Sequence, residues 1–193
     1  MALLTNFENL EQKLSDAVDT PEWKQLQSMF NDAEVVYMIG NGGNMAVASH
    51  GAADATRLTD KKVFCLDSQS HLTSIANDHG YDNIFEKWLD SYADMDRQTL
   101  VIGFSGSGNS ANVLGGLYWA DDHGFDTTII SGVPSTRKTK SINEVCFHND
   151  YFHAHEILSV MSFYELIHGT GNKCPTIAAE NDRKYGAVGA KHV

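Results

Sequence analysis

Apolar positions along this chain change their spacing several times, and each change marks an element. Between residues 5 and 31, Phe7, Leu10, Leu14 and Val18 recur at intervals of three and four, which places them on one face of a helix. Pro21 interrupts that run and suits the first turn of a second helical piece through Phe30. A leading helix of this kind packs on a partner subunit or on its own domain, and the pattern is the same for both. Five short apolar runs follow: 34–40 (EVVYMIG), 62–67 (KVFCLD), 99–105 (TLVIGFS), 126–132 (DTTIISG) and 144–149 (EVCFHN). Several are near-continuous, as in parallel strands covered on both faces. Helical stretches lie between them at 44–56, 72–78 with 83–92, 109–123, and 153–168. Strands alternating with helices predict the α/β class, with right-handed crossovers and a doubly wound parallel sheet. No repeat, low-complexity tract or linker breaks the series. The expectation is a helical segment over 1–33, one α/β domain over 34–170, and an irregular tail over 171–193 punctuated by Gly171, Pro175 and Gly186.

Charge narrows the partners. The formal net charge is −11 and the sequence pI about 5.1, which excludes a general nucleic-acid binder needing a basic face. A single phosphate remains admissible, because backbone N–H groups and a helix N-terminus hold it without net positive charge. Cys65, Cys146 and Cys174 form no close-spaced pair, as in reduced thiols. The opening MALLTNFENLEQKL lacks the basic and long apolar regions of a signal peptide, and no stretch is long enough to span a bilayer. Cytoplasm is the expected compartment.

In open sheets of this class, ligands sit beyond the carboxyl ends of the strands. After the first strand comes Gly40-Asn41-Gly42-Gly43-Asn44. It is either a tight turn or a place where backbone approaches a ligand. Met45 stands where the last glycine of a dinucleotide fingerprint would be, which argues against NAD. After the third strand comes Phe104-Ser105-Gly106-Ser107-Gly108-Asn109-Ser110, three hydroxyls and two glycines at the mouth of a helix, where free N–H groups and the dipole attract an anion. No lysine follows, so a monophosphate ester fits better than a triphosphate with magnesium. After the fourth strand, residues 131–140 (SGVPSTRKTK) are the most basic stretch, able to close over a phosphate or to stand solvated. His50 and Asp54, four apart on a helix, share one face and could clasp a divalent metal, align a base, or be a plain polar pair. In Asn77-Asp78-His79-Gly80-Tyr81, Asp78 could accept from substrate hydroxyls, or the segment could be an ordinary helix end.

The two loops GNGGN and FSGSGNSANVL, each leading into a helix, resemble the SIS (sugar isomerase) domain, nearest its phosphoheptose isomerase branch, over roughly residues 34–168. The resemblance implies a flavodoxin-like three-layer αβα sandwich. It implies conversion of sedoheptulose 7-phosphate to a heptose 7-phosphate through an enediol, at a site between subunits, usually of a homotetramer. Asn44, Ser105, Ser107 and Ser110 would contact phosphate, with Asn41, Gly42, Gly43 and Gly106 in the cradle; Asn44 replaces the family's serine and Gly106 its threonine. His50 matches a family His. Asp54 stands at the catalytic Glu, a carboxylate shorter by a carbon–carbon bond of about 1.5 Å. His155-Glu156 falls at the family's Gln-Glu, and Phe163 at its catalytic His, which with the Gln completes a zinc site. Two readings follow. In one, Asp54 is the base, His155 substitutes catalytically, and His50, Asp54 and His155 bind Zn2+, with His153 or His79 as acid or fourth ligand. In the other, the chain is a non-catalytic phosphosugar binder or adaptor, similar to the replication-initiator-associating type.

Overall fold

The computed structural model describes residues 7–186. Helices α1 (Leu10–Val18) and α2 (Pro21–Asp32) lead into strand β1 (Val35–Gly40). Then come α3 (Gly43–Leu58), β2 (Lys62–Cys65), α4 (Gln69–His79), α5 (Ile84–Tyr92) and β3 (Thr99–Ser105). The chain continues through α6 (Ala111–Asp122), β4 (Asp126–Ser131), β5 (Asn143–Cys146), α7 (Phe152–Gly169) and α8 (Ile177–Tyr185). The five strands form one sheet in the order β2-β1-β3-β4-β5, with every pair parallel. Order therefore reverses between β1 and β3, and their carboxyl ends flank the crevice where ligands bind in sheets of this topology.

Alternation along the strands divides two cores. Val36 and Met38 of β1 join α1, α2, α3 and α7, while Val35, Tyr37 and Ile39 join α4, α5 and α6. The expected α/β sandwich is thus present, with strand positions close to those read from the apolar runs. Ala48, Gly51, Ala52 and Ala55 give α3 a small-residue face; a side chain at Gly51 would press on Met38 and the Phe163 ring. That face lets α3 lie close to both the sheet and α7.

The leading helices are not an appendage. Thr20 caps α2 by accepting from Trp23 N at 3.1 Å, Pro21 takes the first turn, and Leu26 and Phe30 are fully buried. Their apolar face belongs to this domain's own core. At the other end, α8 replaces part of the irregular tail expected over 171–193. Thr176 Oγ1 accepts from Ala179 N at 3.1 Å, and Glu180 pairs with Arg183 one turn on, so local capping outweighs the glycine and proline punctuation. Residues 1–6 and 187–193 of the terminal segments lie outside the described residues. Among the described residues no helix is long and apolar enough to cross a membrane.

Candidate functional site

The β3–α6 loop is a tight cradle. Gly108 N donates to Ser105 O at 2.9 Å, closing a turn, and Gly108 takes φ +67°, in the left-handed region that favours glycine. A side chain there would also meet the Ser135 backbone at 3.0 Å. Ser105 Oγ and Ser110 Oγ are 2.9 Å apart across the loop. Ser110 is the N-cap of α6, yet its hydroxyl caps nothing in that helix, which leaves it facing its loop partner. Ser107 Oγ accepts from Asn109 N at 3.2 Å. Three hydroxyls thus stand at a helix N-terminus where Val113 N donates to Asn112 Oδ1 at 2.9 Å, and the N–H groups of Ala111 and Asn112 have no acceptor among the described residues.

The basic loop after β4 is pinned to this cradle. Asn109 Oδ1 accepts from Ser135 Oγ at 3.2 Å and Thr136 N at 3.1 Å, while Arg137 Nη1 donates to Asn109 O at 3.4 Å. Gly132 N and Val133 N donate to Gly106 O. These bonds hold residues 131–140 beside the β3–α6 loop, while Pro134, Thr136, Arg137, Thr139 and Lys140 stay exposed. Gly106, the family's threonine, has its own reason here: a Cβ would lie 2.8 Å from the Phe152 ring. Phe152 is otherwise 69% exposed.

The β1–α3 loop is more committed to protein contacts than its glycines suggest. Asn41 and the buried Asn112 of α6 exchange amide hydrogen bonds at 2.8 and 2.9 Å, and Tyr81 OH donates to Asn41 Oδ1 at 2.9 Å. Asn41 therefore joins two helix entrances, and its side chain is not free for a substrate. Asn112 was not singled out from sequence; its only signal is an amide inside an apolar helix. Gly42 takes φ +56°, and a Cβ at Gly43 would fall on the Glu156 carboxylate, which sits against the first turn of α3. Asn44 is buried with its Oδ1 unpartnered among the described residues. Asp78 is exposed on the last turn of α4, accepting from Asn77 Nδ2, and Gly80 ends the helix with φ +83°. The segment reaches the crevice through Tyr81.

Asp54 and His50 form a compact group around a side chain that sequence reading missed, and the expected catalytic partner His155 is not part of it. Tyr164 of α7 donates to Asp54 Oδ2 at 2.8 Å, and its oxygen is 2.9 Å from His50 Nε2. Arg57 Nη2 is 3.0 Å from Asp54 Oδ1. Partial burial opposes ionisation of Asp54, but the bonds from Tyr164 and Arg57 and the nearby His50 outweigh it and hold the carboxyl below its usual range. Burial, then the bond to Asp54, pushes the Tyr164 phenol up to about 12. No spacing rule links residue 164 to residue 54; only the packing of α3 on α7 does.

His155 is elsewhere. It lies on the first turn of α7, fully buried, a rise of about 13 Å along the helix from Tyr164. Neither ring nitrogen has a partner among the described residues, and burial pushes its pKa down to about 4. It lines a cavity of about 150 Å3 with Gly106, Ser107, Val133, Asn149 and Phe152. Among the described residues no three His, Cys, Asp or Glu side chains stand together so as to hold a metal ion. The set His50, Asp54 and His155 is therefore not assembled within one chain, and both Asp54 oxygens and His50 Nε2 already have partners. Within one chain these residues do not form the zinc site that the resemblance implied. His153 lies edge-on to Phe7 instead, with ring centroids 5.4 Å apart.

No protein-family model matches the chain. A curated phosphoheptose isomerase of Helicobacter pylori (strain P12) is 31% identical over 137 residues, 68% of either chain. This chain belongs to the phosphoheptose isomerase family. The phosphoheptose isomerase of Aliarcobacter butzleri is 36% identical over 117 residues; that match spans 58% of this chain and 59% of the relative, so somewhat less than two thirds of its length. Among solved structures, the phosphoheptose isomerase of Neisseria gonorrhoeae superposes with TM-score 0.73 at 20% identity, covering 86% of this chain and 92% of that one. A phosphoheptose isomerase from Francisella tularensis gives 0.72 at 15% identity, over 86% and 92%. The Vibrio vulnificus NanR protein, solved in complex with ManNAc-6P, gives 0.57 at 14% identity, over 84% of this chain and 59% of that one. These likenesses establish the sandwich as the family's fold. Phe163, which the resemblance set at the place of a catalytic His, is turned into the core, and the next residue, Tyr164, faces Asp54.

Proposed function

We propose that the chain is an aldose–ketose isomerase acting on a sugar phosphate, sedoheptulose 7-phosphate or a close relative, in the cytoplasm. The observation that carries this reading is the serine cradle at the mouth of α6, in a chain of the phosphoheptose isomerase family. Ser105, Ser107, Ser110 and the first N–H groups of α6 hold the monoester. His50 and Asp54 supply acid–base chemistry, moving a proton between adjacent carbons by way of an enediol. A structural neighbour complexed with ManNAc-6P supports a sugar phosphate as the ligand class. Three free thiols accord with a reducing compartment.

His50 and Asp54 are bonded to Tyr164 of α7, and among the described residues neither is bonded to a cradle serine. Asp54 stands three turns down α3 from the loop that opens it, a rise of about 16 Å. We therefore place the complete site between subunits of a homotetramer, where one copy's cradle meets another copy's His50 and Asp54.

Two measurements test the reading. In a turnover assay with sedoheptulose 7-phosphate, Asp54→Asn lowers kcat about a hundredfold or more, with the Kd for the phosphosugar little changed. Unchanged kcat removes Asp54 from the mechanism. Tight binding with no turnover by the native protein points to the adaptor reading instead. In calorimetry, Ser110→Ala weakens phosphosugar binding about tenfold through loss of one charge-assisted hydrogen bond. Native affinity in that variant means the phosphate sits elsewhere.

A further inference from the structure

Tyr164 stands between the two groups on which the isomerase reading rests. Asp54 Oδ2 and His50 Nε2 are 3.7 Å apart, too far for a hydrogen bond. Asp54 carries one methylene fewer than the family's glutamate, and the phenol spans the gap that the shorter side chain leaves. Its oxygen is 2.8 Å from the carboxylate and 2.9 Å from the imidazole.

Proton counting then decides the direction of each bond. A phenol has one proton, and an ionised carboxylate only accepts. Asp54 is held in its ionised form by Tyr164 and Arg57, so the phenol proton is spent on Asp54. The contact to His50 is a hydrogen bond only if Nε2 carries a proton and donates it. We infer that Tyr164 is a positioning residue that fixes His50 in its Nε2–H tautomer and so presents the bare Nδ1 as the free acceptor of the site. Nδ1 has no hydrogen bond to any described residue, and the His50 side chain is 54% exposed on the outer face of α3.

The arrangement follows the logic of a carboxylate that orients an imidazole, with a phenol inserted between them. It also separates the roles of the two expected residues. Asp54, paired through both oxygens, anchors; His50, with one nitrogen anchored and one bare, is the group that can accept from a bound sugar. Phe163 and Tyr164 divide the work of neighbouring helix positions: the first fills the core, and the second reaches α3.

The kinetic arm of the test rests on the isomerase reading, and the spectroscopic arm does not. The protein is labelled with 15N-histidine and long-range 1H–15N correlations are recorded at about pH 8.5, above the ordinary imidazole range. His50 is assigned by its disappearance in His50→Gln. The native protein gives the Nε2–H pattern, and Tyr164→Phe, which keeps the ring and its packing, gives a mixture of tautomers. Asp54→Ala frees the phenol to donate to Nε2, so the tautomer inverts to Nδ1–H. A native Nδ1–H pattern, or one unaltered in Tyr164→Phe, overturns the inference. With sedoheptulose 7-phosphate, Tyr164→Phe lowers kcat about tenfold with KM nearly constant; an unchanged kcat overturns the orienting role. A native protein with no turnover ends the isomerase reading, and the tautomer measurement still decides this one.

Discussion

Lowering the pH from 7 to 4 will destabilise the protein by on the order of 3 kcal/mol through the His155 ring alone. The ring is fully buried beside Phe147, at 5.9 Å between centroids, and beneath the Gly106 and Gly132 backbone. No described residue hydrogen-bonds either nitrogen, so nothing compensates the charged form, and burial pushes the pKa down to about 4. The sign follows from the depressed value. Above the ordinary imidazole pKa of about 6.5 the ring is neutral in both folded and unfolded chains, and there is no effect. Below it the unfolded chain takes up a proton that the native protein refuses. Stability then falls by about 1.4 kcal/mol per pH unit until the native ring itself titrates near pH 4. Urea unfolding across this window measures the slope. His155→Gln, which retains a polar side chain of similar length and cannot titrate, flattens it by about one proton. Equal slopes in the two proteins would mean that the native ring takes up its proton readily.

Phe163→Ala should cost about 3–5 kcal/mol, the range for removing a phenyl ring from a packed core. The ring is 2% exposed, lies edge-on to Phe30 with centroids 6.4 Å apart, and touches the small-residue face of α3 at Gly51. Gly51 leaves room for the ring by having no side chain, so neither neighbour can move in to fill the space. The loss appears as a lower urea midpoint with an unchanged slope. A cost below about 1 kcal/mol would place the ring outside the core. The result bears on function as well as stability. Where the resemblance implied a proton-carrying group, this chain has a core residue, and under the proposed function that chemistry would fall to His50 and Asp54, held by Tyr164.

Much of the fold was legible because its signals are local. The five apolar runs and the helices between them depend on residues a few positions apart, and the structure places strands at nearly the same positions. The tail was misread because Gly171, Pro175 and Gly186 outweigh, in sequence, the capping that Thr176 provides to α8. The cradle was legible for the same reason as the strands. Serines and glycines between a strand and a helix lie within one contiguous stretch, which sets them at a helix N-terminus.

The group of His50, Asp54 and Tyr164 was half legible. His50 and Asp54 share a helix face, which spacing alone establishes. His155 was linked to them by analogy of position, and burial at the other end of α7 separates it from them. Tyr164 and Asn112 left no trace in sequence order, because each acts on a residue far away along the chain.

By itself, the sequence determined the layered α/β class, the serine cradle, and a carboxylate beside an imidazole on α3, since each follows from periods and spacings within a single segment. Only tertiary packing decided that Asn41 would join Asn112, that His155 would be sealed in the core, and that Tyr164 would stand between His50 and Asp54. Those outcomes depend on which helix faces meet across the sheet, and contact between distant segments is set by the burial of whole faces rather than by any one residue's neighbours in the chain.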